Sequence, residues 1–298
     1  MSNTKLRNAT YCIDQMIRHL SIQSYTTRAD TRLMLIRCIK DLHELGFKVG
    51  HLKGIKERHV EALVAHWKTQ EKSPATIKNY MSKLRTVTRY FGNGSMLSAN
   101  NSSYQIGNRP NAPVVNKAIT DVDFSRCKNP YIRLSLEGQA LFGFRREESL
   151  KFTLSQAHVG DVLYIKPSWT KGGIGRVIKV RTSEQREWLS RVHQLVRHGE
   201  SLIPTDKTYK QHLSTYQTQV SAMGLHKCHG LRHAYAQKRY QELTAYFDEH
   251  KKGLLPPIQG GKSYKELSAI EKEIDQRARH ILSLELGHTR PGITKIYC

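Results

Sequence analysis

Apolar positions along the first hundred residues recur with the spacing of helix faces. One segment carries Leu33, Ile36, Ile39, Leu42 and Leu45, with Gly46 behind it as a stop. The next places Val60, Leu63, Val64 and Trp67 at i, i+3, i+4 and i+7, one face of an amphipathic helix. A third begins at Ser73-Pro74, an N-cap residue followed by proline at the first helical position. It turns Ile77, Tyr80, Met81, Leu84 and Val87 to one side. Lys78, Arg85 and Arg89 share a different side, a row that suits either a phosphate backbone or plain solvent.

The helical pattern then stops. GNGSMLSANNSSYQIGNRPNAP has no period and is rich in Gly, Asn, Ser and Pro, so it reads as a linker. Beyond it, helices are expected at about 131–142, 145–150, 183–198 and 208–223, and another from near Arg232. Thr182 and Gln185 have capping-box spacing, and Gly224 closes the 208–223 helix. VLYIKPS and RVIKVRT read as two short strands, and WTKGGIG joins them with the glycines that a tight reversal needs. The expected fold is mainly α with a small antiparallel β-sheet in the second half, an α+β arrangement.

Charge narrows the partners. Lys and Arg number 48 against 25 Asp and Glu, a net charge of +23. The basic residues run through helices and not one tail, which favours nucleic acid as the partner. The 298 residues leave room for two domains. No apolar run is long enough to cross a membrane, and MSNTKLRNATYCIDQ lacks the apolar core of a signal peptide. No membrane partner is therefore expected. The five cysteines (Cys12, Cys38, Cys127, Cys228 and Cys298) are odd in number and form no CxxC pair. That speaks against a disulfide framework or a zinc site and suits a cytoplasmic location. There is no phosphate-cradling GxxxxGK[ST] loop and no carboxylate cluster for two metal ions, so no cofactor and no metal is expected.

Four short stretches carry the candidate chemistry. GFRREESL sets Arg145 and Glu148 three apart near a helix start. TKGGIGR presents Lys171 at a hairpin tip. HGLRH places His229 and Arg232 at i and i+3, one face of a helix turn. LGHTRPGITKIYC holds His288 and Tyr297 nine apart. Each alone has an ordinary reading: a surface ion pair, a turn lysine, a chance pair, a packing tyrosine. In this order they resemble the tyrosine recombinase (phage integrase) family, and the resemblance covers both halves of the chain.

The resemblance implies a helical, SAM-like core-binding domain over 1–96, a linker over 97–117 and a catalytic domain over 118–298. The two domains would close as a clamp around double-stranded DNA. Tyr297 would be the nucleophile, with Arg145, Arg232 and His288 on the phosphate and Glu148 in support. Two planar guanidinium groups can donate paired hydrogen bonds to phosphate oxygens that gain charge, and they stay charged throughout. The phenol, with an ordinary pKa of ~10, must lose its proton as it attacks. His229 is the candidate to accept it or to order the site that does, and Lys171 could protonate the leaving 5′-oxygen. The implied product is a 3′-phosphotyrosyl intermediate that conserves bond energy, without metal or ATP. The implied function is a site-specific recombinase or integrase of a mobile genetic element, a dimer on a core site and a tetramer in synapsis, acting on bacterial nucleoid DNA. A topoisomerase-like enzyme with the same chemistry, and an architectural DNA-binding protein without catalysis, are the alternatives. The complete residue set argues against the second and the helical N-terminal domain against the first.

Three features depart from the family pattern. Arg232 and His288 lie 56 positions apart, farther than in members resembling the phage enzymes. The extra length falls at about 248–276 and includes a charged, helix-like run from Tyr264 to Gln276. It is either a DNA or partner contact through Lys251, Lys252 and Lys262, or a tolerated surface insertion. Gly230 stands where an acidic residue is common. The chain ends one residue after Tyr297, so no C-terminal docking helix is expected. With so little chain beyond it, Tyr297 should be loosely placed until DNA and neighbouring protomers assemble.

Overall fold

The computed structural model describes residues 2–21, 24–108 and 115–298. They fall into two compact units, Met1–Pro110 and Asn111–Cys298.

The first unit is helical: α1 (Ser2–His19), α2 (Tyr25–Glu44), α3 (Glu57–Thr69) and α4 (Pro74–Tyr90). Val60, Leu63, Val64 and Trp67 of α3 all face the core, as their spacing predicts. Ser73 caps α4 by accepting from Thr76 N, with Pro74 at the first helical position. The face of α2 differs from the predicted one. Leu33 is 62% exposed and Leu45 38%, while Met34, Leu35, Cys38, Ile39 and Leu42 point inward. Two polar residues join that inward face because each has a partner there. Asp41 accepts from Trp67 Nε1 at 2.9 Å, and a His43 ring nitrogen lies 2.8 Å from the Val49 carbonyl.

The stretch after α4 is folded, at least as far as residue 108, and does not behave as linker. Leu97, Tyr104 and Ile106 are buried in the core of the first unit. Arg85 holds the stretch, donating from Nε to the Ser98 carbonyl at 2.8 Å and from Nη1 to Asn101 Oδ1 at 2.9 Å. Residues 109–114, the middle of the predicted linker, lie outside the described residues.

The second unit begins its regular structure with α5 (Pro130–Phe142), α6 (Arg146–Leu150) and the short α7 (Leu154–Ala157). A three-stranded antiparallel sheet follows: β1 (His158–Val159), β2 (Val162–Ile165) and β3 (Arg176–Lys179), in the order β1-β2-β3. The sequence pattern gives β2 and β3 but not the two-residue β1. Ile165 pairs with Arg176 and Leu163 with Ile178, and all four face inward. Gly172 and Gly173, both at positive φ, carry the turn between β2 and β3. Then come α8 (Ser183–Leu195), α9 (Tyr209–Ala222), α10 (His229–Phe247) and α11 (Ala269–Glu285). Thr182 and Gln185 form the predicted capping box on α8. The charged run expected from Tyr264 becomes helical only at Ala269, where Ser268 caps α11.

Trp188 anchors one core, packed against Phe142, Phe144 and Phe152, with its Nε1 donating to the Leu134 carbonyl at 2.9 Å. α10 is the central element of the unit, packing against α5 and against α11. It therefore sits between the segments that carry Arg145 and His288.

Candidate active site

Arg232 is the centre of the site. It lies in the first turn of α10 and is fully buried. Its Nη1 donates to the Gly143 carbonyl and its Nη2 to the Leu286 carbonyl. Gly143 ends α5 at a φ of 63°, and a Cβ there would stand 2.5 Å from Tyr235, so the residue that opens the Arg145 box has to be glycine. Two main-chain carbonyls from opposite sides thus fix the guanidinium. Burial first, then Arg145 and Arg176, lowers its pKa to about 10 while Tyr297 opposes the shift, so it stays charged at neutral pH.

Three sequence-predicted residues converge on this cation. Tyr297 is 2% exposed, and its hydroxyl lies 3.3 Å from Arg232 Nε. His288 Nε2 is 3.3 Å from Arg232 Nη2. A guanidinium only donates, so this nitrogen accepts, and in neutral His288 the ring proton sits on Nδ1. The His229 ring centroid is 6.0 Å from that of Tyr297, and the His288 centroid 5.7 Å. The expectation of a loosely placed Tyr297 does not hold: its ring is packed among three imidazoles, and Cys298 beyond it is buried too.

Glu148 organises the flank. It accepts from Arg145 N at 2.7 Å and Arg145 Nη1 at 2.8 Å. It also takes a two-pronged pair from Arg176, Nη1 at 3.0 Å and Nη2 at 2.7 Å. Burial works against its charge, but Arg176, Arg232 and the Arg145 amide outweigh burial and hold its pKa at about 2. Arg176 also donates from Nε to the Glu285 carbonyl at 2.7 Å, at the end of α11, and its side chain fills the space beside Gly287.

The histidines are held neutral. His288 falls to about 3 through burial, then Arg232, Arg145 and Arg176. His233 falls to about 4 through burial, then His229, Lys117 and Arg232. His229 keeps an exposed face, yet partial burial of its ring and then Arg232 and Arg145 lower it as well. A cavity of about 610 Å³ opens beside this cluster, lined by Arg145, Arg146, Lys171, Lys227 and His229 among others. Lys171 thus shares the cavity with Arg145 and His229 but stays exposed on the hairpin turn.

The motifs do not single out Arg176 or His233. The signal for Arg176 was a charge at an inward-facing register position of an alternating strand. For His233 it was a second histidine one turn beyond His229. Gly230 also has a structural reason. Residues 117–119 lie directly on it, with Ile119 N donating to the Gly230 carbonyl at 3.0 Å. A Cβ would stand 2.4 Å from Ile119 Cγ1 and 2.5 Å from the Lys117 carbonyl.

The predicted DNA-facing row on α4 is split. Arg85 is half-buried and tied to residues 98 and 101, whereas Arg89 is exposed and Lys78 half-exposed. In the added segment, Lys262 pairs with Glu271 at 2.8 Å, and Lys251 donates to the Tyr246 carbonyl at 3.1 Å. Among the described residues, no helix is long and apolar enough to cross a membrane.

The family model described as phage integrase, N-terminal, matches residues 9–97. No curated protein matches the chain in sequence. Solved structures do match in fold. One is a lambda integrase dimer bound to a COC′ core site, at 16% identity, covering 89% of this chain and 76% of that one, with a TM-score of 0.54. Another is the XerH site-specific recombinase bound to palindromic difH substrate after cleavage, at 16% identity, covering 97% and 80%, with a TM-score of 0.56. A third is the Tn1549 transposon integrase with circular intermediate DNA, at 11% identity, covering 96% and 94%, with a TM-score of 0.52. At such identities the likeness is one of fold. Residues 9–97 thus match the N-terminal domain of phage integrases, and the fold of the chain is similar to that of these recombinases and integrases.

Proposed function

We propose that this chain is a site-specific DNA recombinase or integrase of a mobile genetic element, with Tyr297 as the nucleophile. The observation that carries this reading is the convergence of Arg145, His229, Arg232, His288 and Tyr297 on one buried, positively charged centre from three separate stretches of sequence. Arg145 and Arg232 donate to the two non-bridging oxygens of the scissile phosphate. Arg232 is oriented in advance by its two carbonyl partners, so little rearrangement is left for the moment of reaction. His288, protonated at Nδ1, adds a donor. His229 is neutral at pH 7 and free to accept the phenolic proton.

The Tyr297 oxygen bonds to phosphorus as the bond to the 5′-oxygen breaks. Lys171 supplies the proton that leaves with that oxygen. The 3′-phosphotyrosyl ester keeps the energy of the phosphodiester, so a second 5′-hydroxyl can reseal the strand. The partner is double-stranded DNA bearing a recombination site, in the cytoplasm at the nucleoid. The protein acts as a dimer on each core site and a tetramer in synapsis, its two units clamped about the duplex, with Lys78 and Arg89 on the backbone. The domain limits that go with this reading are a core-binding domain that takes in the folded stretch to residue 108, and a catalytic domain from 118.

The test is a nicked suicide duplex that traps the covalent adduct. Wild-type protein forms the adduct. Tyr297→Phe forms none but still binds the duplex. An undiminished adduct in Tyr297→Phe would remove Tyr297 from its role.

A further inference from the structure

Gln237 sits two turns beyond His229 on the same helix and is 1% exposed. Its amide is completely used. Nε2 donates to Asn116 Oδ1 at 2.8 Å and to the Tyr297 main-chain carbonyl at 2.9 Å. Oε1 accepts from Gln259 Nε2 at 2.8 Å and from Asn116 Nδ2 at 3.5 Å. A primary amide has two donor hydrogens and two acceptor lone pairs, and here each has a partner.

Gln259 belongs to the added segment between Arg232 and His288. Its own Oε1 accepts from Gln241 Nε2 at 2.9 Å, one turn farther along α10. Four stretches remote in sequence therefore meet on one side chain: the segment at Asn116, α10, the added loop and the Tyr297 segment. That last segment is also held by side chains, with Arg232 Nε on the Tyr297 hydroxyl and Arg279 Nη1 donating to Thr294 Oγ1 at 3.4 Å, but Gln237 bonds the Tyr297 main chain itself. The segment is a short 3-10 turn (Pro291–Ile296), with Tyr297 N and Cys298 N both donating to the Thr294 carbonyl, at 2.9 and 3.1 Å.

We infer that Gln237 is a positioning residue for the nucleophile, and that through Gln259 the added loop belongs to the support of the active centre. This rests on Tyr297 being the nucleophile. Gln237 touches no reacting atom. It fixes the backbone from which the phenol projects, and the loop keeps its amide oriented. A buried amide with all four valences engaged has one orientation, so the Tyr297 carbonyl has one seat.

Two variants of the full-length protein test this. Gln237→Met keeps the volume and removes every bond. Gln259→Ala truncates an exposed side chain and leaves folding intact. The first readout is amide hydrogen exchange of the 291–298 segment in DNA-free protein. It is expected to rise about tenfold in Gln237→Met and about threefold in Gln259→Ala, with exchange in α5 and α9 unchanged. The second is single-turnover adduct formation on the suicide duplex. It is expected to fall about tenfold in Gln237→Met while the DNA Kd stays within about twofold, the signature of a misplaced nucleophile and not of lost binding. Unchanged exchange of 291–298 in both variants would overturn the inference, as would a loosened segment with a wild-type adduct rate. Should Gln237→Met fail to fold, Gln259→Ala decides on the same two readouts. A wild-type protein that formed no adduct would remove the functional reading, while the exchange measurement would still judge the grip on Tyr297.

Discussion

Glu148→Gln removes one negative charge from among three guanidinium groups and leaves the side-chain volume unchanged. The carboxylate accepts four hydrogen bonds, two from Arg145 and two from Arg176, and both its own side chain and that of Arg176 are almost entirely buried. Its pKa falls from 4.5 to about 2. At about 1.4 kcal/mol for each tenfold change in proton affinity, that is roughly 3 kcal/mol of folded-state preference for the charged form. A second route gives a similar figure. Deleting one member of a buried pair costs about 3–5 kcal/mol, because the other charge stays buried without its counter-charge. Glu148→Gln should therefore lose about 3 kcal/mol at pH 7. The folded-state pKa is depressed, so this stability is complete above about pH 4.5 and drains away as the pH falls towards about 2. Urea denaturation of both proteins from pH 7 to pH 3, followed by circular dichroism, measures the difference. It should shrink below about pH 4. A gap under about 1 kcal/mol at neutral pH, or one that stays constant into acid, would refute the reasoning.

Arg145→Ala and Arg232→Ala should each lower adduct formation by about 100-fold or more while duplex affinity changes far less; if both merely weakened binding in a filter or anisotropy assay, they would be ordinary phosphate contacts. Gly230→Asp should overpack against Ile119 and the Lys117 carbonyl, costing about 1–3 kcal/mol and lowering Tm by several degrees, and an unchanged Tm would show that the 117–119 strap yields freely. Duplex binding should weaken by about 1000-fold or more between 50 and 200 mM salt if six or more phosphates are contacted, and a flat response would contradict a backbone clamp.

The candidate site was legible because its residues come in short local patterns. A helix turn fixes the separation of His229 and Arg232, and the first turn of α6 that of Arg145 and Glu148, so spacing alone carries the geometry. Arg176 was not legible. Its shared face with Ile178 and Val180 was the only local sign, and its carboxylate partner is 28 residues upstream. The inward face of α2 was misjudged for a related reason. Asp41 and His43 go inside because Trp67 Nε1 and the Val49 carbonyl lie near them in the fold, which hydropathy along one helix cannot register. Composition misled after α4. A run of Asn, Ser and Gly reads as linker, yet three apolar anchors and the Arg85 guanidinium hold it on the core.

If Tyr297 is the nucleophile as proposed, its burial bears on fidelity as well as on rate. A protein with a net charge of +23 collides with any duplex in reach, and most such encounters are at the wrong sequence. With its ring 2% exposed, the phenol is out of reach of a passing phosphate. Strand scission then proceeds at the intrinsic rate multiplied by the fraction of molecules in which the pocket has opened. Each tenfold reduction in that fraction suppresses stray nicking tenfold at every sequence alike. On that reading, only a site whose binding favours the open form regains the lost rate, and the packing around one tyrosine becomes a restraint toward the rest of the genome.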